Sequence, residues 1–289
     1  QIQCRQQLDF KLFRPRLLMP ELPEVETTKR GIEGTLTNQQ ITGVWTSGLS
    51  LRYPVSPTLN QVIGLQIKAV SRRAKYLLIQ LSDDSHLLYH LGMSGMMRLS
   101  QQPHQTIKHD HVVLTIEGGV SLVFHDPRRF GCVLHVEGDI NQHRLIKKLG
   151  PEPFDDGFTA EYLKQQASGK KTPVKSFIMN NDVVVGVGNI YASEALFLAG
   201  IHPHRAADRV SLKRYQLLQA AVVKVLSEAI QAGGTTLKDF HQSDGKPGYF
   251  QQKLMVYGRS GENCFQCQTA IKKVKTGQRS SYYCPHCQK

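Results

Sequence analysis

Four cysteines carry the clearest chemical signal in the chain. Cys264 and Cys267 form one Cys-x2-Cys pair, Cys284 and Cys287 form a second, and 16 residues separate the pairs. Two such knuckles set four thiolates tetrahedrally around one Zn²⁺, and the residues between them suit a β-hairpin. Four protein ligands leave no open position for water, so a zinc held this way is structural and not catalytic. The competing use of such pairs is redox chemistry. Arg279, just before the second knuckle, reads either as a nucleic-acid contact or as a solvated surface arginine. Cys4 and Cys132 are left over, and unpaired thiols beside a zinc site fit a reducing cytosol.

Other segments carry weaker signals. Val183-Val-Val-Gly-Val-Gly-Asn189 lacks the third glycine and the βαβ context of a dinucleotide site, so no nucleotide cofactor is expected. It reads as a tight turn into a helix, either purely structural or with its N–H groups facing a phosphate. Lys108-His-Asp-His111 puts two histidines on one side of a strand without an evident third ligand, which argues against a metal. His125-Asp-Pro-Arg-Arg-Phe130 joins cations to an aromatic ring. That combination suits phosphate contact with insertion into a base stack, or a simple turn at a strand end. Arg72-Arg-Ala-Lys75 is a basic cluster or a plain exposed face.

These residues belong to a chain of 289 with 36 Lys and Arg against 23 Asp and Glu, a formal net charge of +13. So basic a chain implies an anionic partner, nucleic acid first and a membrane surface second. No run approaches the ~18 apolar residues of a spanning helix, and six cysteines are too few for a disulfide scaffold. Residues 249–289 hold seven basic residues (Lys253, Arg259, Lys272, Lys273, Lys275, Arg279 and Lys289) against Glu262 alone, which marks a small basic module around the cysteines.

The elements that must position these groups follow in three blocks. Pro20 to Thr28 reads as a helix start, with prolines where the missing N–H is harmless and acids at the positive end of the dipole; Gly31 and Gly34 are expected to limit it. Residues 41–135 are mostly strand. Tyr76–Leu81 and His86–Leu91 flank an Asp-Asp-Ser turn, and His111–Ile116 and Val120–Phe124 flank Gly118-Gly119. Gly150-Pro-Glu-Pro marks a break, after which the pattern is helical. Ser211 is placed to cap a long helix with an apolar face of Tyr215, Leu218, Val222, Val225, Leu226 and Ala229, ended by Gly233. Strands, then helices, then a cysteine module imply separate domains in an α+β chain.

Seven blocks, in order, make the sequence resemble one family. They are Pro20-Glu-Leu-Pro-Glu-Val-Glu-Thr, Arg72-Arg-Ala-Lys-Tyr-Leu, His90-Leu-Gly-Met-Ser-Gly, Asp126-Pro-Arg-Arg-Phe-Gly, Gly186-Val-Gly-Asn-Ile-Tyr-Ala-Ser-Glu, Thr235-Thr-Leu-Lys-Asp-Phe and the four-cysteine finger. From Met19 to Lys289 the chain resembles bacterial formamidopyrimidine-DNA glycosylase. The resemblance implies an N-terminal β-sandwich with flanking helices over 20–149, a helix–two-turn–helix domain with a lesion-capping loop over 150–248, and a zinc finger over 249–289. It implies a monomer that binds damaged double-stranded DNA, sits in the cytoplasm at the nucleoid and makes no use of a membrane. It implies excision of oxidised purines, 8-oxoguanine and formamidopyrimidines, followed by strand cleavage by β,δ-elimination.

The same resemblance implies roles for single residues. Pro20 would be the amine nucleophile and Glu21 the general acid/base, with Lys75 and Arg279 completing the catalytic set through phosphates beside the lesion. Met93, Arg128 and Phe130 would fill the gap left by the extruded nucleotide. Asn189 would touch phosphate, and His109, Lys175, Lys238 and Tyr257 would add DNA contacts. Glu24 is a weaker match near the lesion pocket, and Thr235–Phe250 matches the loop that closes over the purine. Endonuclease VIII, a related enzyme of oxidised pyrimidines, is the nearest alternative; Leu22 and the 235–250 loop favour the purine enzyme. A non-catalytic zinc-finger DNA binder would explain the charge and the cysteines but not Pro20-Glu21 directly after a methionine. Residues 1–19 precede the family's first residue. The expectation is that Met19 is the true initiator and that the 1–19 extension is missing from the mature protein, because only then is the Pro20 nitrogen an amine.

Overall fold

The computed structural model describes residues 20–101, 105–233 and 254–289. The first helix, α1 (Leu22–Leu36), begins where Pro23 fits the first turn, and the Glu24 carboxylate accepts from the Glu21 backbone N–H at 2.8 Å. It does not stop at Gly31 or Gly34. Each glycine costs about 1 kcal/mol in a helix interior. Burial of Val25, Ile32 and Leu36 against the sheet, worth about 1.5–3 kcal/mol per side chain, outweighs that and carries the helix to Leu36.

Eight strands form two antiparallel sheets. One has the order β1-β6-β7-β5, from β1 (Ile41–Thr46), β6 (Asp110–Ile116), β7 (Val120–His125) and β5 (Met96–Gln101). The other has the order β2-β3-β4-β8, from β2 (Ile67–Arg73), β3 (Tyr76–Leu81), β4 (His86–His90) and β8 (Cys132–Val136). Both expected hairpins are present, β3–β4 and β6–β7. The β6–β7 turn uses Gly118 and Gly119 at φ 81° and 82°, a left-handed pair only glycine adopts without strain. The two inner faces share one core, including Leu77, Ile79 and Tyr89 from one sheet and Met97, Leu114 and Phe124 from the other, with α1 over its edge.

A second core lies beyond the Gly150-Pro151-Glu152-Pro153 break. It is built by α2 (Ala160–Gln166), α3 (Val174–Ile178), α4 (Asn189–Leu198) and α5 (Leu212–Gln231). Ser211 caps α5, its hydroxyl accepting from the Arg214 N–H, and the expected face from Tyr215 to Ala229 is buried. The finger follows as β9 (Lys272–Thr276) paired antiparallel with β10 (Arg279–Tyr283), packed through Val256, Ile271 and Tyr282 onto Phe197 of α4. Among the described residues no helix is long and apolar enough to cross a membrane.

Candidate active site

The start of α1 is docked on the glycine-rich turn that opens α4. The Leu22 N–H donates to the Gly186 carbonyl at 3.3 Å. The Glu21 carboxylate lies on the N-terminus of α4, accepting from Ile190 N–H at 3.0 Å and Tyr191 N–H at 3.5 Å. These N–H groups were candidates for a phosphate; two of them hold Glu21 instead, because a buried carboxylate on α1 reaches the positive end of the helix first. A Cβ on Gly188 would sit on the Glu21 carboxyl group, and one on Gly186 would sit on Leu22, so only glycine permits the approach. Glu24 lies alongside, accepting from the Tyr191 hydroxyl at 2.7 Å.

Burial pushes the Glu21 carboxyl above the usual carboxylate range, and neighbouring Glu24 pushes the same way, while Lys75 and the two helix N–H groups pull it back. Lys75 moves oppositely. Desolvation lowers its ammonium, the Glu21 charge opposes that, and Arg279 lowers it further. Glu21, Lys75 and Arg279, from three parts of the chain, therefore act on one another electrostatically.

The turn that presents Lys75 is not a plain exposed face. Arg72 donates to Glu26 at 3.0 Å and to Glu152 at 2.7 Å, Arg73 donates to Glu152 at 3.0 Å, and the Ala74 N–H donates to Glu152 at 2.7 Å. Glu152, in the link between the two large cores, thus fixes the backbone next to Lys75.

A second group joins the helical core to the finger. The Lys175 ammonium is buried and donates to Asn189 Oδ1 at 2.7 Å, Ser281 Oγ at 2.9 Å and the Ser280 carbonyl at 3.3 Å. Asn189 donates in turn to the Tyr257 hydroxyl at 3.3 Å. Burial lowers Lys175 to about 7; Glu21 opposes this and Arg279 adds to it. Lys175, Asn189 and Arg279 line one cavity of about 250 Å³. Glu194, which the sequence reading passed over, accepts from the N–H groups of Met255, Val256 and Tyr257 at 2.7, 3.1 and 2.8 Å. Its signals were its place at the end of the Gly186–Glu194 block and its charge inside the apolar run of α4.

The third group lies at one end of the sandwich. Met93 is half-buried in the β4–β5 turn. Phe130 is 44% exposed in the β7–β8 turn, with the Arg128 guanidinium 4.8 Å over its ring. His109 is half-exposed, its ring edge-on to His125 at 5.9 Å. His111 is no metal ligand; it is buried, bonded to Ser47 and to the Asp126 carbonyl. Lys238 and the Thr235–Phe250 loop lie outside the described residues.

Among the described residues, Cys264, Cys267, Cys284 and Cys287 are the group that suits a metal ion, with sulfur atoms all within 4.8 Å of one another. Cys264 and Cys287 sulfurs are 4.0 Å apart and those of Cys267 and Cys284 are 3.4 Å apart. Bonds of about 2.3 Å in a tetrahedron require sulfurs about 3.8 Å apart, so the set fits a four-thiolate ion.

Three family models match the chain: the formamidopyrimidine-DNA glycosylase N-terminal domain over residues 19–133, the H2TH domain of the same family over 149–241, and a zinc finger found in FPG and IleRS over 261–289. The chain is 54% identical over 272 residues to formamidopyrimidine-DNA glycosylase of Hahella chejuensis, covering 94% of this chain and 100% of that one. It is 53% identical over 272 residues to the same-named protein of Hydrogenovibrio crunogenus, covering 94% and 97%. In structure it resembles the MutM (Fpg) protein of Thermus thermophilus, with a TM-score of 0.83 at 36% identity over 93% of this chain and 98% of that one. It equally resembles Lactococcus lactis Fpg in complex with a FAPY-dG containing DNA, with a TM-score of 0.84 at 32% identity over 93% and 100%. With all three family models matched in order, and half of the residues shared with full-length relatives, the chain belongs to the formamidopyrimidine-DNA glycosylase family.

Proposed function

We propose that the chain excises oxidised purines, 8-oxoguanine and formamidopyrimidines, from duplex DNA and then cleaves the abasic strand by β,δ-elimination. Family membership supplies the coarser part, a DNA glycosylase acting on damaged bases in base-excision repair. The observation that carries the catalytic part is Glu21: a carboxyl buried next to Pro20, held on the N-terminus of α4 and shifted toward its protonated form; the purine preference rests on the family resemblance, through Leu22 and the 235–250 loop.

This chemistry requires the Pro20 nitrogen to be a free secondary amine, as it is when Met19 is the initiator and is removed. An α-amine titrates near ~8, so a useful fraction is neutral at pH 7. Its lone pair attacks C1′ of the sugar, the bond from C1′ to the base breaks with its electron pair going to the base, the base takes up the proton that the proline nitrogen gives up, and Glu21 protonates the ring oxygen as the sugar opens. The resulting iminium carries its charge without a further proton. It draws electrons from C2′, a 2′ proton is lost, and the 3′ phosphate leaves; the 5′ phosphate follows in the second elimination. Lys75, Arg279 and Asn189 hold phosphates around the lesion, and Lys175, His109, Tyr257 and Lys238 extend the grip. Met93, Arg128 and Phe130 fill the vacated stack, offsetting the few kcal/mol that flipping a nucleotide costs. The four cysteines hold one Zn²⁺, which keeps the finger folded and takes no part in the chemistry. The enzyme works as a monomer on chromosomal DNA in the cytoplasm.

The test is release of the base and nicking of the strand by protein beginning at Pro20, using duplexes with 8-oxoguanine opposite cytosine, an oxidised pyrimidine, or a preformed abasic site. The reading expects excision of the purine over the pyrimidine, and nicking of the abasic strand. Preference for the pyrimidine would move the assignment to endonuclease VIII chemistry, and an intact abasic strand would leave only a DNA binder.

A further inference from the structure

Two separate turns of the sandwich are tied together by one buried carboxylate that the reaction does not use. Asp126 is fully buried at the end of β7. Its Oδ1 accepts from the Ser94 hydroxyl, in the turn carrying Met93, at 2.6 Å and from the Arg128 N–H at 3.3 Å. Its Oδ2 accepts from the Gly131 N–H at 2.8 Å, just past Phe130. Ser94 Oγ closes the ring by accepting from the Arg128 N–H at 3.2 Å. The main chain of Asp126 reaches the third strand end: its N–H donates to the His109 carbonyl at 2.9 Å, and its carbonyl accepts from the His111 ring at 3.0 Å.

A carboxylate suits this position because every group facing its two oxygens is a donor. An amide would have to turn its own N–H groups toward one of them. The turns are also locked sterically. Gly92 sits at φ +66° where a Cβ would run into the Phe130–Gly131 backbone. His109 and Arg129 hold left-handed backbone, φ 78° and 58°. Non-glycine residues stay there only when their surroundings over-determine them.

We propose that Asp126, through Ser94, is a positioning residue that fuses the Met93 turn and the Arg128–Phe130 turn into one wedge, set before DNA arrives. The inference rests on the reading of Met93, Arg128 and Phe130 as gap-filling side chains. Its physical content is entropic. Side chains and turns ordered in the free protein do not have to be ordered during insertion, which lowers the barrier to that step. Asp126 itself is fully buried, so its effect passes through the turns it holds.

The test follows insertion directly, by stopped-flow fluorescence of 2-aminopurine next to 8-oxoguanine in a duplex. Ser94→Ala cuts the bond between the turns and leaves Asp126 in place; Asp126→Asn, checked by melting, repeats the test on the hub. The expected result is an insertion phase slowed about fivefold or more by Ser94→Ala, and less than about twofold by the same change in a Met93→Ala background, where the wedge is already broken. Smaller slowing in the native background, or equal slowing in both, overturns the proposal, since a general loss of structure would be additive. A wild-type protein that shows the insertion phase but releases no base counts against the proposed function alone, whereas one with no insertion phase overturns both.

Discussion

Burial raises the Glu21 carboxyl and lowers the Lys75 ammonium, and the attraction between their charges opposes both shifts. Glu21→Gln keeps the shape and one of the two helix N–H contacts and removes the proton donor. Base excision should fall about 10²–10⁴-fold in a single-turnover assay, with affinity for damaged duplex within about tenfold. Lys175 gives a pH signature. Its folded value, about 7, lies below its ordinary 10.5. The depressed value means that the folded state loses the proton first as pH rises. Wild type relative to Lys175→Met is therefore most stable near pH 10.5 and loses that advantage as pH falls to about 7, below which the difference is flat. Urea melts across pH 6–10 check this. Binding runs the other way, because phosphate favours the ammonium: duplex affinity should weaken from pH 6 to pH 8, and Lys175→Met should remove that slope. At this scale the cysteines were legible from type and spacing, whereas Pro20-Glu21 read only as a helix start until the family resemblance gave the pair a role. Glu21's partner was not legible, since the Ile190 N–H lies 169 positions away. Lys175's burial was equally hidden, because its partners come from the finger hairpin.

The strands, turns and long α5 announced themselves through period and punctuation, and these are the elements with one face buried in a local core. The departures have tertiary causes. α1 crosses two glycines because Ile32 and Leu36 are buried. The Arg72–Arg73 pair is ionic, not merely exposed, because Glu26 and Glu152 fold back onto it. The turn into α4 is the element on which the site depends most. Gly188→Ala would drive a methyl into the Glu21 carboxyl. Overpacking of this kind costs about 1–3 kcal/mol, and the displaced carboxyl should lower excision by about 10²-fold or more. A thermal melt and an excision assay on one preparation separate the two effects. A variant with normal excision would mean that the Gly188–Glu21 approach is not needed for catalysis.

Over the whole molecule, a charge of +13 sets the class of partner, while the arrangement of three blocks sets where that charge works. The finger supplies Arg279 and the Ser280–Ser281 side of the Lys175 cage, so it shapes the site. Stripping zinc with a chelator should unfold residues 254–289, seen as loss of dispersed amide signals from that segment, and should weaken duplex binding by about 10²-fold. The sandwich and helical cores should remain folded, because each has its own buried cluster. Block order was readable from composition and breaks in pattern. How the blocks meet was not, because Glu21, Glu152, Glu194 and Lys175 each bond across a boundary between them.

Reductive trapping tests directly whether Pro20 is the nucleophile. Protein beginning at Pro20 is mixed with a duplex carrying 8-oxoguanine opposite cytosine, treated with borohydride, digested, and the cross-linked peptide sequenced by mass spectrometry. A covalent adduct between the Pro20 nitrogen and the sugar is expected. An adduct on Lys75 or Lys175, or strand cleavage with no trapped adduct at all, would contradict it.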